Sequence, residues 1–257
     1  MQSQAEGDSP GITRPVTDGA ELHLLEWIVV TNRRFQVDLP LPGQNWKSAE
    51  HMSEFDLQAR DWDNDPVRVL RSRAVADAIR NHVPLTAHMN AMEYGCGTGL
   101  LSFELRGDIG PITLADSSAG MLEVLREKIA ACGAVNMTPM KLDLAVDPLP
   151  TDRFDLVYTL MTLHHIPDTE RALRSLYALL RPNGWLAICD LDREDGSFHD
   201  PGFDGHNGFD RSVLEQKLKD VGCMDVRTET AYRLERERGG VKRVYPLFLL
   251  LGRRAAA

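Results

Sequence analysis

The chain has 257 residues, 43% of them hydrophobic and 26% charged, with a formal net charge of −9 at neutral pH. That length buries a full core and suits one α/β domain with an appendage. The acidic balance, and the lack of any lysine- or arginine-rich run, argue against duplex nucleic acid as the main partner, because phosphate binding needs a basic face.

Four isolated cysteines, Cys96, Cys132, Cys189 and Cys223, form no C-x-x-C pair and no zinc spacing with histidine, which fits a reduced, cytoplasmic protein. Residues 1–51 stand apart as an N-terminal extension. Met1 to Gly19 is polar with Gly and Pro and is expected to be disordered. Glu21 to Val37 is expected to form a helix or a strand, ended by Pro40, Pro42 and Gly43. Its apolar stretch, Leu22 to Val30, contains His23 and Glu26; it is too short to insert in a membrane and follows acidic residues, which is wrong for a signal peptide. Three readings of the extension stay open: a substrate-capping role, an arm packing on the domain, or upstream sequence from a misplaced start with Met52 the true one.

Asp65 followed by Pro66 reads as a helix cap with proline in the first turn, where its missing N–H is harmless. Val67, Leu70, Ala74, Ala78 and Ile79 then mark an apolar stripe, with Arg68, Arg71 and Arg80 largely off it. Next comes AMEYGCGTGLLSFEL, residues 91–105: a short strand, glycines at alternate positions 95, 97 and 99, and an apolar helix. A glycine-rich turn between strand and helix is where doubly wound sheets bind nucleotides, because backbone without Cβ lets a ligand approach. The dinucleotide fingerprint G-x-G-x-x-G/A does not fit, since Leu100 occupies its third small position.

Pro111 to Ala115 reads as a second strand ending at Asp116, 21 residues after Gly95. A carboxylate at that distance suits a ribose diol, whose two hydroxyls it accepts. Ser117 or Ser118 caps the next helix, with Met121, Leu122, Leu125 and Ile129 on its face and Gly133 at its end. Met137 to Met140 is a third strand and Phe154 to Tyr158 a fourth. Asp168 caps a helix carrying Leu173, Leu176 and Leu180, and Pro182-Asn183-Gly184 turns into a fifth strand, Trp185 to Cys189. Ser212 to Val221 is a helix stopped by Gly222. Asp225 to Tyr232 and Val244 to Leu251 are strands, with Glu235 to Gly240 a charged turn that makes them an antiparallel hairpin.

These runs resemble, over residues 52–257, the class I S-adenosylmethionine (SAM) dependent methyltransferases of small-molecule type. The glycine loop with Glu93 ahead of it is similar to their motif I, ADSSAGML to their D-x-S-x-x-M/L signature, and FDLVYTLMTLHHIPD to motif IV with its paired histidines. LLRPNGWLAI resembles L-x-P-G-G, with Asn183 in place of the first glycine; asparagine also tolerates left-handed turns. The resemblance implies a Rossmann-like, doubly wound seven-stranded sheet, six strands parallel and the last antiparallel in a C-terminal hairpin. It implies SAM as cofactor and S-adenosylhomocysteine as product. Gly95, Cys96, Gly97, Thr98 and Gly99 would form the floor, and Glu93 would face the methionine ammonium. Asp116 and Ser117 would hold the ribose, Asp143 the adenine amine, and the Leu144 N–H the ring. Thr159 and Leu160 would flank the site at the end of the fourth strand, and Trp62 and Arg71 in the lead-in would close over it.

Methyl transfer from a sulfonium is an in-line displacement that depends on alignment and needs no metal. Where the acceptor must lose a proton, a base helps by roughly 10²–10⁴-fold, and His164 and His165 are the candidates. The stretch Asp190 to Asp210 carries seven carboxylates, two histidines and four glycines. It reads as a substrate-facing lid (Asp192, Glu194, His199 and His206), as an Asp/His metal site, or as a solvated loop with Asp210 capping a helix. The expected function is methyl transfer to a small-molecule acceptor, without nucleic acid or membrane insertion. A SAM-binding regulatory or scaffold protein without efficient turnover, and a protein methyltransferase, are the alternatives.

Overall fold

The computed structural model describes residues 53–256. The expectations for the N-terminal extension, the start at Met52 included, fall outside the described residues.

The chain begins with a short helix α1 (Glu54–Gln58), a 3-10 turn (Ala59–Asn64) and α2 (Pro66–His82). It continues through β1 (Ala91–Tyr94), α3 (Leu100–Leu105), β2 (Ile112–Asp116), α4 (Ala119–Cys132), β3 (Met137–Lys141) and β4 (Phe154–Leu160). A second 3-10 turn (Leu163–His165) leads to α5 (Thr169–Ala178), β5 (Leu180–Leu191), α6 (Arg211–Asp220), β6 (Cys223–Arg238) and β7 (Val241–Arg254). Local chemistry sets the boundaries. Asp65, Ser118, Asp168 and Asp210 each accept a backbone N–H in the first turn of α2, α4, α5 and α6, as their positions predict. Gly133 ends α4 in the left-handed conformation.

The seven strands lie in the order β3-β2-β1-β4-β5-β7-β6. All neighbouring pairs are parallel up to β5; β7 runs antiparallel between β5 and β6. The expected architecture is therefore present, with the strand order reversing beside β1 and β4, where open sheets hold their ligands. One face of the sheet packs α2, α3 and α4 through residues such as Ile79, Leu101 and Leu125. The other packs α5 and α6 through Leu173, Leu176 and Leu218. Covered on both faces, the centres of β4 (Leu156 to Tyr158) and β7 (Leu247 to Leu251) are continuous apolar runs, as buried strands must be.

Three expectations need correction. The Glu235–Gly240 segment is not a turn: β6 runs on to Arg238, only Gly239 and Gly240 turn, and the two strands pair as far as Arg238 with Val241. A two-glycine connection lets both central residues take positive φ, which suits a tight hairpin. Since β5 ends opposite Leu247, the far part of this hairpin projects beyond the sheet's carboxyl edge. The stripe of α2 is rotated: Val75, Ala76, Ala78 and Ile79 are buried, whereas Leu70 is 55% exposed. The fifth strand is also longer than read, because Asn183, at φ 63°, keeps Leu180 to Leu191 continuous through a bulge.

Candidate functional site

The three glycines of the β1–α3 loop all take positive φ, at 68°, 53° and 83°. At Gly95 the requirement is doubled, because a Cβ there would run into the Thr162 side chain beyond β4. Asp116, at the end of β2, clamps the loop: its carboxylate accepts from the Gly97 N–H at 2.7 Å and the Ser118 N–H at 2.8 Å. Burial raises its pKa against those two bonds.

The lead-in crosses over this loop as a strap. The Trp62 indole nitrogen lies 3.6 Å from where a Gly97 Cβ would sit. Arg68 stacks on the Trp62 ring at 3.8 Å and donates to its carbonyl oxygen. Asp63 receives the Thr98 hydroxyl at 2.5 Å and the buried Lys128 ammonium at 2.6 Å, and Lys128 also donates to the Thr98 carbonyl. Asp56 takes bonds from the Ser118 hydroxyl (2.6 Å) and the Gly120 N–H (2.8 Å). Against its partial burial, these bonds and those from Ser53 hold its carboxyl down at about 2. Sequence reading missed Asp56, Asp63 and Lys128. The Ser53-x-x-Asp56 capping box was the available signal for α1.

Beneath the loop, Glu93 is 2% exposed, and burial lifts its carboxyl to about 8. Its Oε2 accepts from both the N–H and the hydroxyl of Ser102, and that hydroxyl meets the Tyr158 hydroxyl at 2.5 Å. Burial also keeps the Cys96 thiol protonated. Asp143 bends its own loop by accepting from the Ala145 N–H, while the Leu144 N–H is already donated to the Tyr94 hydroxyl. Ser117 is exposed at the mouth of the loop; Ser118, not Ser117, caps α4. Thr159, at the end of β4, is buried with its hydroxyl oxygen unpartnered, and Leu160 follows it half-buried. Met161, next in the chain, is held at φ 55°, a strained value for a side-chain-bearing residue and of a kind common at active sites.

The two histidines differ sharply. His164 is 1% exposed and its Nδ1 lies 2.6 Å from Asp190 Oδ1, with Asp190 fully buried at the end of β5. Asp190 also accepts from the His164 and Leu191 N–H groups. Burial opposes its charge, but the adjoining His164 ring with its hydrogen bond, and the two N–H groups, outweigh it and lower the Asp190 pKa. A carboxylate at Nδ1 fixes the proton there, so Nε2, enclosed and without a partner, presents a bare lone pair. His165 has no such partner. Burial, then the neighbouring His164 and His199, drive its pKa to about 3, so it stays neutral. Phe55, Phe203 and His199 pack round the pair, with His199 stacked on Phe203 at 3.6 Å.

The acidic stretch is folded by its own ion pairs. Asp192 holds Arg211 through two bonds of 2.6 and 2.7 Å; Asp195 pairs with Arg243 and Asp200 with Arg238, both at 2.7 Å. Arg236 and Arg238, on the projecting hairpin, both donate to the Phe198 carbonyl. Glu194 accepts from the Ser197 and Phe198 N–H groups, and His206 faces Thr169 and the Ile166 carbonyl. Of the four residues expected to face substrate, only His199 brings its ring against the histidine pair; His206 meets His164 through its backbone N–H, which donates to the His164 carbonyl at 2.8 Å. No three His, Cys, Asp or Glu side chains among the described residues converge as a metal site.

A methyltransferase-domain family model matches residues 92–186, from β1 into β5. Over that stretch the chain is similar to methyltransferase domains. Among similar proteins, the ubiquinone/menaquinone biosynthesis C-methyltransferase UbiE of Pseudoalteromonas translucida is 31% identical over 110 residues, 41% of this chain and 44% of the relative. The chain thus spans less than half the length of the curated relatives it matches. A SAM-dependent methyltransferase from Aquifex aeolicus shares the fold at TM-score 0.57 and 20% identity, over 77% of this chain and 97% of that one. Phosphoethanolamine N-methyltransferase 2 of Haemonchus contortus, solved with SAM, matches at 0.59 and 13% identity, over 79% and 60%. The matched residues 92–186 take in the loop, Asp116 and the histidine pair. Asp190 and the arginine-bound stretch lie beyond them.

Proposed function

We propose that this chain binds SAM over the glycine loop and transfers its methyl group to a small-molecule acceptor at the His164 end of β4. The observation that carries the reading is the clamped, positive-φ loop roofed by Trp62, with Asp116 at its far side. The residues fit the group. Asp116 keeps unused lone pairs for a ribose diol, with Ser117 beside it; Thr159 has an orphaned buried hydroxyl; and Glu93 supplies a buried acid near the methionine end. Gly95, Cys96, Gly97, Thr98 and Gly99 form the floor, and Leu160 and Trp62 the walls. Asp143 keeps the adenine amine as its proposed partner. Leu144 contributes apolar contact, its N–H being engaged by Tyr94.

When bound, SAM supplies an electrophilic methyl already activated by positive charge. The chain's own part is to align the acceptor, exclude water and take a proton. Phe55, Phe203 and His199 form an apolar, aromatic surround suited to a flat organic acceptor. His164 Nε2 takes the acceptor's proton, and Asp190 orients the ring and stabilises the imidazolium that results. His165, neutral, packs the wall. No helix among the described residues is long and apolar enough to cross a membrane. Isothermal titration tests the first step: SAM and S-adenosylhomocysteine should both bind, and absence of heat and of thermal stabilisation with either would overturn the proposal.

A further inference from the structure

An enclosed polar atom without a hydrogen-bond partner is unfavourable, and a ligand that supplies the partner is favoured there. Such atoms occur in Glu194, Arg238 and Arg253, which are bonded through their other atoms. They occur also in Arg71 and Thr159, which the sequence reading assigns to the cofactor. The two that remain, His164 Nε2 and His199 Nε2, belong to neighbouring rings 5.1 Å apart.

His199 is put there by the projecting hairpin. Arg236 Nη1 donates to the Phe198 carbonyl at 2.8 Å, and Arg238 donates to the same oxygen and to Asp200. The Ser197 hydroxyl meets the Tyr245 hydroxyl at 2.8 Å and receives Arg243 at 3.0 Å. Phe198 is buried, with Arg236 over its ring at 4.4 Å and the Tyr245 ring 5.1 Å away. Residues on both sides of His199 are thus fixed, and its ring stacks on Phe203 at 3.6 Å and 14°. Further along, the same stretch is laid against the histidine pair. A Cβ at Gly205 would strike the His164 carbonyl oxygen and the Phe203 ring, and the His206 N–H donates to that carbonyl.

The two imidazoles differ in what they offer. Asp190 holds the His164 proton on Nδ1, which leaves Nε2 an acceptor. His199 has no carboxylate at either ring nitrogen. Burial, then His164 and Arg236, lower its pKa to about 4 and keep it neutral, so its single proton is free to sit on Nε2. Side by side the rings then present one acceptor and one donor. That is the complement of a hydroxyl, which gives its hydrogen and accepts at its oxygen. An amine does not match, because its nitrogen must keep its lone pair for the methyl.

We infer that His164 and His199 together grip one hydroxyl of the methyl acceptor, and that this acceptor is a phenol or an enol. The inference rests on the methyl-transfer reading and names the acceptor's class. The hydroxyl passes its proton to His164 Nε2, and the oxyanion left behind faces two N–H groups, the protonated His164 and the neutral His199. An imidazole is far too weak a base for an aliphatic alcohol, whereas a phenol, with a pKa of about 10, is within its range. Phe55 and Phe203, edge-on to His165, line the same space with apolar rings that suit a flat acceptor.

The test is titration of para-nitrophenol, whose phenolate alone is yellow, into protein saturated with S-adenosylhomocysteine and kept in chelator, followed by absorbance and calorimetry. Binding is expected, with a rise in the phenolate fraction. Para-nitroanisole, which lacks the O–H, and para-nitroaniline, an amine of similar shape, should bind about tenfold more weakly or worse. His199→Phe keeps the stack on Phe203 and should lose about tenfold in nitrophenol affinity, and His199→Gln, which puts an amide N–H near the place of Nε2, should recover most of it. Equal binding of the three nitro compounds to wild type would overturn the inference without reference to any variant, as would failure of nitrophenol to bind. Unchanged affinity in a folded His199→Phe would do the same. So would binding that appears only when zinc replaces the chelator, which would give the two nitrogens to a metal. Repeating the titration without S-adenosylhomocysteine tells the failures apart: a chain that grips the phenol but takes up no nucleoside loses the methyl-transfer reading and keeps the hydroxyl site.

Discussion

Replacing Glu93 by Gln should change how stability depends on pH. In the fold this carboxyl titrates near 8, against an ordinary value of 4.5, because burial outweighs the two hydrogen bonds from Ser102. Between those values the folded chain holds a proton that the unfolded chain has released. Folding therefore weakens as pH rises through this window, by about 5 kcal/mol in all at ~1.4 kcal/mol per pH unit, an order-of-magnitude figure. Most of it develops between pH 5 and 8. Other groups act in the same range: Asp116 in the same direction, His165 and His199 in the opposite one below their ordinary 6.5. The difference between variant and wild type cancels them. Urea unfolding at pH 5, 6, 7 and 8 should show Glu93→Gln gaining on wild type by about 3–4 kcal/mol from the lowest to the highest pH. Parallel curves for the two proteins would refute the reasoning. The proposed role adds a second readout. An ammonium brought near Glu93 favours its ionised form, so SAM binding at pH 6 should release a proton, seen as a dependence of the calorimetric heat on buffer ionisation enthalpy and absent in Glu93→Gln.

Three further outcomes follow from the geometry. Gly95→Ala places a Cβ at positive φ against Thr162 and should lower stability by about 1–3 kcal/mol and abolish SAM binding in the same titration; a fully binding variant would disconnect the loop from the cofactor. Asp190→Asn removes the charge that orients His164, and should reduce kcat by about 10²-fold or more, with SAM affinity retained once an acceptor is in hand; equal rates would dismiss His164 as the base. Asp56→Ala frees the Ser118 hydroxyl and the Gly120 N–H from the strap, and should cost about 1–2 kcal/mol in a thermal melt and alter the fluorescence change on SAM binding. A variant indistinguishable in both measurements would show that the strap is held elsewhere.

The parts of this structure legible in the sequence are those whose physics is local. Asp65 before Pro66, Ser118, Asp168 and Asp210 act within one helical turn, so each cap could be read from neighbours alone. The glycine loop was legible for the same reason: three alternate glycines between strand and helix leave few conformations that make sense. Pairings across the fold were not. Asp190 meets His164 from 26 residues away, and only a carboxylate ending an apolar strand hinted that it might be buried. Without that partner the two histidines look alike; with it, one is aimed and the other is packing. The acidic stretch stayed open among three readings because its charges were visible while the arginines that answer them, Arg211, Arg238 and Arg243, lie later in the chain. Leu70 misled in another way: a periodic stripe fixes which residues share a side of a helix, but the neighbours decide how far the helix is turned.

The strap over the glycine loop bears on timing as well as fit. Residues 53–64 are fastened at Asp56 to the start of α4 and at Asp63 to Thr98 and Lys128, so the roof cannot drift off the loop one contact at a time. A nucleoside seated beneath Trp62 would have to wait for both fastenings to release together. Escape of the spent nucleoside, rather than bond-making, would then set the pace of turnover. It would also order the visits: the nucleoside first in and last out, with acceptors exchanging past it on the Phe203 side. Stopped-flow release of S-adenosylhomocysteine, compared with the steady-state rate, reads this directly.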